Sequence, residues 1–303
     1  MVRKTKFDLM SEVIINEVGP RDGLQNIETI LSVNDRFELI KSLETAGIKS
    51  LEIGSLVSKK AVPAMHGTVE LIQKMKDLDA YSILVPNIYG FNKAKENNVK
   101  EICLVLCVTE SMNLKNINQN TADSIKDFKK IILESKKIGI RTKCYVSVAF
   151  YCPYEGKVDP GYVTSIIDEL ISYGADEIVI ADTIGAANPK EVKELIKMQL
   201  RNHDSCKFSV HFHDTKALAL SNIFVSIEEG IKKFDACIGG LGGCPFAPGA
   251  SGNLATEDLV GMLNMMNLDT GIDLDLLHQS RELASDLTAL KLKGRMPYGD
   301  SYS

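Results

Sequence analysis

The 303-residue chain predicts an α/β fold, a closed (β/α)8 TIM barrel with an additional C-terminal helical segment. Three observations carry that expectation. Short β-branched apolar runs alternate with longer helical patterns without a break in rhythm from Val13 onward. Eight such pairs fit into about 250 residues, the usual extent of this barrel, whereas an open doubly wound sheet of that length would show fewer strands. Each run is short and apolar, as parallel strands covered on both faces must be.

Taken in order, the first run, 13–18, leads into a helical stretch over 33–46 that Gly47 closes. The run 50–54 precedes helix 63–76, 80–85 precedes 89–98, and 101–108 precedes 121–138, with Gly139 just past the end. Pro160 opens the helix 160–173 that follows strand 141–148, and Gly174 closes it; Pro189 opens 189–202 after strand 176–181. Strand 207–213 with helix 216–229, then strand 234–239 with helix 255–267, complete the eight. A further amphipathic stretch, 274–292, is expected beneath or beside the barrel. The whole reads as one domain over 1–303: barrel about 13–268, helical extension about 269–293, and a mobile polar tail at 294–303.

The composition narrows the partners. Lys and Arg total 35 against 40 Asp and Glu, a net charge of -5, and no dense basic block occurs, so neither nucleic acid nor an anionic membrane surface is expected. A small-molecule partner fits better. Residues 1–10 lack the apolar core of a secretory signal, and the longest apolar runs, such as 102–108, fall far short of the roughly 20 residues that span a bilayer. The seven cysteines form no spaced framework, and Cys103 and Cys107, four apart, have no matching second pair for zinc. They read as small core residues in a reducing, cytoplasmic setting.

Active sites of such barrels lie at the carboxyl ends of the strands, so the polar residues there are the candidates. His211 and His213 alternate along one strand and point the same way, able to reach one inward-facing ion; the lesser reading is that they are satisfied polar residues at a strand end. Asp22, beyond the first strand, would add a carboxylate close by around a closed barrel. Two imidazoles, one carboxylate and an amide oxygen, with no thiolate, suit Mg2+ or Mn2+. An amidohydrolase would also use an HxH pair, but on its first strand.

Arg21 could hold a developing enolate oxygen, or simply pair with Glu17 or Glu52. Glu52 and Asp182 are expected to look inward from neighbouring strand ends, orienting ligands or serving structure alone. Residues 239–243 carry four glycines in five, permitting close backbone approach, and Cys244 follows with little apolar flanking. Its thiol reads as an acid, a nucleophile or an incidental residue.

Two stretches carry a resemblance: EVGPRDGLQN from Glu17 and GLGGCPFAPGASGNLATEDLV from Gly240. Both resemble the 3-hydroxy-3-methylglutaryl-CoA lyase family of the DRE-TIM metallolyase group. VSKKAVPAM from Val57, CPYEGK from Cys152, DTIG from Asp182 and HFHDT from His211 match in the same order, so the likeness spans Val13 to about Leu268. The resemblance implies that Asp22, His211, His213 and Asn253 bind a divalent cation, Mg2+ or Mn2+. It implies that Arg21 steadies a thioester enolate, that Cys244 donates a proton, and that Glu52, Asp182 and Glu257 support the polar network. The implied partner is an acyl-CoA substrate, split into acetyl-CoA and acetoacetate as in leucine degradation. A homodimer is expected by analogy alone.

The chain departs from the family pattern at Lys216 and Ala217, where tyrosine or arginine and then glycine usually follow HDT, and at Ala181, where the family has the glycine of GDTIG. The alternative is a lyase or synthase of the same group acting on a related 3-hydroxyacyl-CoA or 2-oxo acid. A condensing synthase of the same group would usually carry a long regulatory tail, and a silent metal- or CoA-binding scaffold would not need the reactive residues.

Overall fold

The computed structural model describes residues 13–242, 252–292 and 294–297. Its strands and helices follow in turn as β1 (Ile14–Glu17), α1 (Val33–Thr45), β2 (Ser50–Ser55), α2 (Thr68–Lys74), β3 (Tyr81–Leu84), α3 (Ile88–Glu96), β4 (Glu101–Cys107), α4 (Glu110–Ile117), α5 (Thr121–Ile138), β5 (Arg141–Ser147), β6 (Tyr151–Cys152), β7 (Gly156–Lys157), α6 (Pro160–Tyr173), β8 (Glu177–Asp182), α7 (Pro189–Gln199), β9 (Phe208–Phe212), α8 (Ala219–Glu228), β10 (Lys233–Ala236), α9 (Thr256–Met265) and α10 (Leu274–Thr288). Eight parallel strands close in the order β1, β10, β9, β8, β5, β4, β3, β2, and β6 and β7 form a short antiparallel hairpin of their own. The expected barrel is the observed one.

Local chemistry explains where helices start. Ser32 and Asp35 form a reciprocal capping box at α1, as Asn188 and Glu191 do at α7, each satisfying backbone donors that the first turn leaves unpaired. Asn87, Asn120, Asp159 and Asp273 cap α3, α5, α6 and α10 in the same way. Gly139 and Gly174 end α5 and α6 in the left-handed conformation that glycine adopts without strain. The helices bury one stripe each; on α1 it is Leu39, Ile40 and Leu43, all at 0% exposure against the outer face of the sheet.

The barrel interior differs from this outer core. Cys103, Tyr145 and Val179 form a small separate apolar cluster with Leu84 and Val105 around them. Below it lies a buried ionic layer, with Lys143 Nζ 3.3 Å from Glu101 and 3.7 Å from Glu177, whose other oxygen receives Lys233 Nζ at 2.6 Å. Above it, polar groups face the carboxyl ends of the strands. A register shift in β2 between Glu52 and Gly54 bends the strand there. Gly54 is required, because an added Cβ would meet Arg36 Nη2 and Thr68 at 2.8 Å.

Several expected boundaries move. The helix expected over 63–76 breaks at Gly67, φ 80°, into a 3-10 turn, Pro63–Met65, and α2. The helix expected from residue 216 starts at Ala219, because Ala217 adopts φ 56°. The stretch 274–292 is helical only to Thr288, where Ala289 turns left-handed at φ 56°. α10 lies beside α1, not beneath the barrel: the Asp273 amide donates to Ala46 O at 2.8 Å and Ser280 Oγ meets Ser42 Oγ at 2.7 Å. Residues 294–297 do not form a loose tail, since the Arg295 and Met296 amides both donate to Asp258 Oδ1, at 2.6 and 2.7 Å. The remaining tail, 298–303, lies outside the described residues. Five cysteines are buried as expected, Cys206 is exposed, and Cys244 also lies outside the described residues. Among the described residues no helix is long and apolar enough to cross a membrane.

Candidate active site

The turn after β1 sets the first part of the site. Glu17, fully buried at the end of that strand, accepts from the amides of Gly19 (2.7 Å) and Ile238 (2.9 Å) and from Thr256 Oγ1 (2.5 Å). It thus ties the turn to the exit of β10 and the start of α9. Burial pushes its carboxyl pKa up to about 7. The Asp22 and Gly23 amides return to Val18 O in a wide π-type turn, Gly19–Gly23. Gly23 fits only without a side chain, since a Cβ would lie 2.7 Å from Cys237 Sγ.

That turn presents Arg21 and Asp22. Arg21, 4% exposed, donates Nε and Nη2 to the two oxygens of Glu52 at 2.6 and 2.8 Å and Nη1 to Asp22 Oδ1 at 2.5 Å. Of the two ion-pair partners open to Arg21 from the sequence, Glu52 is the one it meets. Asp22 Oδ1 also receives Gln25 Nε2 at 3.0 Å, and Oδ2 receives Asn253 Nδ2 at 2.8 Å. Burial alone would raise the Asp22 carboxyl, but Arg21 and the two histidines outweigh it and hold the pKa down at about 2.

β9 ends at Phe212, one residue before His213, and the pairing continues as an isolated antiparallel bridge from His213 to Asn253. Flanking bonds from Leu254 N to Phe212 O (3.2 Å) and Asp214 N to Gly252 O (3.1 Å) fix Asn253 beside it. The two imidazoles stay on one side, with ring centroids 5.3 Å apart. Burial, then the neighbouring His211, lowers the His213 pKa to about 4. For His211 burial acts in the same direction, but the Asp235 carboxylate at 3.1 Å from Nδ1 prevails and raises it.

One ligand-type atom each of Asp22, His211 and His213 lies within 4.8 Å of the others. Donors about 2.1 Å from an octahedral ion would sit roughly 3 to 4.2 Å apart, so a cluster whose atoms all fall within 4.8 Å of one another is close to the size of a bound shell. Asn253 donates Nδ2 to Asp22 and to Leu241 O at 3.0 Å, leaving Oδ1 buried without a hydrogen-bond partner among the described residues. An orphaned amide oxygen beside one carboxylate and two imidazoles is a donor set that a hard divalent cation would satisfy.

The other two expected acids stand elsewhere. Glu52 and Asp182 do not come from neighbouring strands, since β2 and β8 are separated around the barrel by β3, β4 and β5. Asp182 accepts the amides of Ala186 (3.0 Å) and Ala187 (2.9 Å), shaping the turn after β8, and burial lifts its pKa to about 6. Glu257 accepts the Gly239 amide at 3.0 Å and lies 3.6 Å from Arg281, holding the base of the glycine-rich segment from outside the cluster.

Three contributors were not singled out from the sequence. Gln25 braces Asp22; Asp235 lies against His211; and Tyr145 Oη reaches both Asp235 Oδ2 at 2.7 Å and Glu52 Oε2 at 3.1 Å. The one available signal was Asp235 itself, a lone charge inside an apolar strand run.

Fold and site together define a (β/α)8-barrel enzyme with a cluster of groups that could hold a cation at the carboxyl ends of its strands. The chain matches the model of the HMGL-like family over residues 12–284. A hydroxymethylglutaryl-CoA lyase of Bacillus subtilis is 39% identical over 269 residues, covering 88% of this chain and 90% of the relative. An (R)-citramalyl-CoA lyase of Chloroflexus aurantiacus is 37% identical over 280 residues, covering 88% of each. The solved structure of an HMG-CoA lyase from Acinetobacter baumannii, in complex with coenzyme A and 3-methylmalate, matches with a TM-score of 0.92 at 35% identity, over 97% of this chain and 98% of that one. The chain belongs to the HMGL-like family.

Proposed function

We propose that the chain is a divalent-metal-dependent carbon–carbon lyase that splits 3-hydroxy-3-methylglutaryl-CoA into acetyl-CoA and acetoacetate. The observation that carries this reading is the convergence of Asp22, His211, His213 and the orphaned Asn253 amide oxygen beside the buried Arg21–Glu52 pair. Those four residues would hold Mg2+ or Mn2+, which when bound supplies Lewis acidity that lowers the pKa of a coordinated hydroxyl.

Cleavage then asks three things of the chain. The tertiary hydroxyl must lose its proton, and either Asp22, which Arg21 and the two histidines hold ionised, or a water at the cation would accept it. As the C2–C3 bond breaks, C3 and its oxygen become the ketone of acetoacetate and the bonding pair passes into the thioester as an enolate. Arg21 uses three of its five N–H donors on Glu52 and Asp22, so two remain for the enolate oxygen. Protonation at C2 completes acetyl-CoA, and Cys244 is the proposed donor. Gly242, two residues earlier in the chain, lies against the cluster: an added Cβ there would be 2.9 Å from Asn253 Nδ2. Glu52 positions Arg21, while Asp182 and Glu257 hold the two loops that border the cluster.

A related 3-hydroxyacyl-CoA is the second reading, favoured by the citramalyl-CoA lyase among the relatives and by the exposed, left-handed turn at Lys216 and Ala217. A cytoplasmic setting, which rests on the cysteine pattern, and a place in leucine breakdown, which rests on the resemblance, belong to the same proposal. The test is incubation of the purified protein with 3-hydroxy-3-methylglutaryl-CoA and Mg2+. Acetoacetate should appear and a chelator should stop it; its absence, with citramalyl-CoA cleaved instead, would transfer the assignment to the second reading.

A further inference from the structure

We infer that Asp235 is a positioning residue for the cation site, fixing His211 as the tautomer that carries its proton on Nδ1 so that Nε2 faces Asp22 as the ligand atom. The inference rests on the metal-binding reading above.

Asp235 lies in β10 directly in register with His211 in β9, is 2% exposed, and places Oδ2 3.1 Å from His211 Nδ1. An ionised carboxylate offers only lone pairs, so the hydrogen between them belongs to the imidazole. A neutral imidazole has one N–H, and with that proton on Nδ1 the lone pair is on Nε2. His213 has no such partner: its Nδ1 is buried and unbonded among the described residues. The two histidines are therefore not equivalent: among the described residues His211 Nδ1 has a carboxylate partner and His213 Nδ1 has none.

Apart from His211, Asp235 is itself fixed from two sides. Asn16 Nδ2 donates to Oδ1 at 2.8 Å, and Asn16 Oδ1 in turn receives Ser50 Oγ at 2.8 Å. Tyr145 Oη donates to Oδ2 at 2.7 Å; its single proton is shared with the more distant Glu52. The carboxylate cannot rotate without breaking contacts to β1 and β5, so it holds the ring plane as well as the tautomer. Charge points the same way. The hydrogen-bonded cluster contains Asp22, Glu52 and Asp235 against the one cation Arg21, leaving two negative charges with the imidazoles neutral. A divalent cation neutralises that cluster, and Asp235 supplies half of the excess.

The experiment has two arms. Long-range 1H–15N spectra of the metal-free parent, labelled at histidine, assigned with His211→Gln and recorded at a pH high enough for the ring to be neutral, should show the single His211 proton on Nδ1; a neutral ring with its single proton on Nε2 would overturn the inference whether or not any variant folds. Mn2+ titration of Asp235→Asn should give a dissociation constant about 10- to 100-fold above the parent's, with an unchanged far-UV spectrum. Binding within threefold of the parent would also overturn it. A parent that binds no Mn2+ at all would instead sink the metal-dependent reading, so the two failures are told apart.

Discussion

Replacing Glu52 by Gln keeps the side chain's size and removes its charge, and the structure sets what that should cost. Glu52 and Arg21 are joined by two bonds of 2.6 and 2.8 Å, with side-chain exposures of 0% and 5%. In the variant only the amide oxygen accepts, and the amide NH2 faces a guanidinium N–H, donor against donor. Breaking one side of a buried ion pair costs about 3–5 kcal/mol, because the surviving charge stays desolvated. Asp22 remains a partner of Arg21, so the lower end, about 3 kcal/mol, is expected. Urea unfolding followed by far-UV circular dichroism measures it directly. Arg21→Met should cost a similar amount by stranding Glu52, and the double variant should cost about 2–3 kcal/mol less than the sum of the singles. A loss below about 1 kcal/mol for Glu52→Gln, or additive single effects, would refute the claim that this pair is the fixed support of the site.

Three further outcomes follow from the same geometry. Cys244→Ser should lower turnover by about 100-fold or more while Mn2+ affinity stays as in the parent, since a proton donor contributes to the chemical step and not to ion binding; equal turnover would remove the assignment. Asn253→Ala should weaken Mn2+ binding at least about 10-fold, read by titration, because it deletes a proposed ligand oxygen and the brace on Asp22 together. The buried Glu17 carboxyl titrates near 7 in the native state against an ordinary 4.5, so its protonated form favours folding: the contribution is complete below about 4.5 and is lost as pH rises through 7. Glu17→Gln keeps neutral acceptors for the Gly19 and Ile238 amides, so its stability relative to the parent should rise by about 3 kcal/mol between pH 4.5 and 8.5, and a flat difference would contradict the burial argument.

The barrel was legible because its strands are buried on both faces and therefore read as uninterrupted apolar runs, each followed by a helix with its own caps. What the sequence did not show was set by tertiary context. Ala217 and Ala289 adopt left-handed backbone without glycine to announce it, so two helix boundaries moved. α4 and the β6–β7 hairpin are short inserts in the rim connections, with little periodicity of their own. In the site, Asp22, His211 and His213 could be placed from their positions at strand ends. Asp235 could not, because its partners His211, Tyr145 and Asn16 lie 24, 90 and 219 residues away and meet it only when the sheet closes. Nor could the direction of the Asp182 and Glu257 side chains: Asp182 turns to amides of its own loop, and Glu257 on α9 turns to the Gly239 amide 18 residues earlier.

A crystal of the protein grown with Mn2+ and examined at a wavelength where manganese scatters anomalously tests the central claim most directly. The account predicts one strong anomalous peak about 2.0–2.4 Å from an Asp22 carboxylate oxygen, a ring nitrogen each of His211 and His213, and Asn253 Oδ1. No peak there, or a peak bound by other groups, would contradict it.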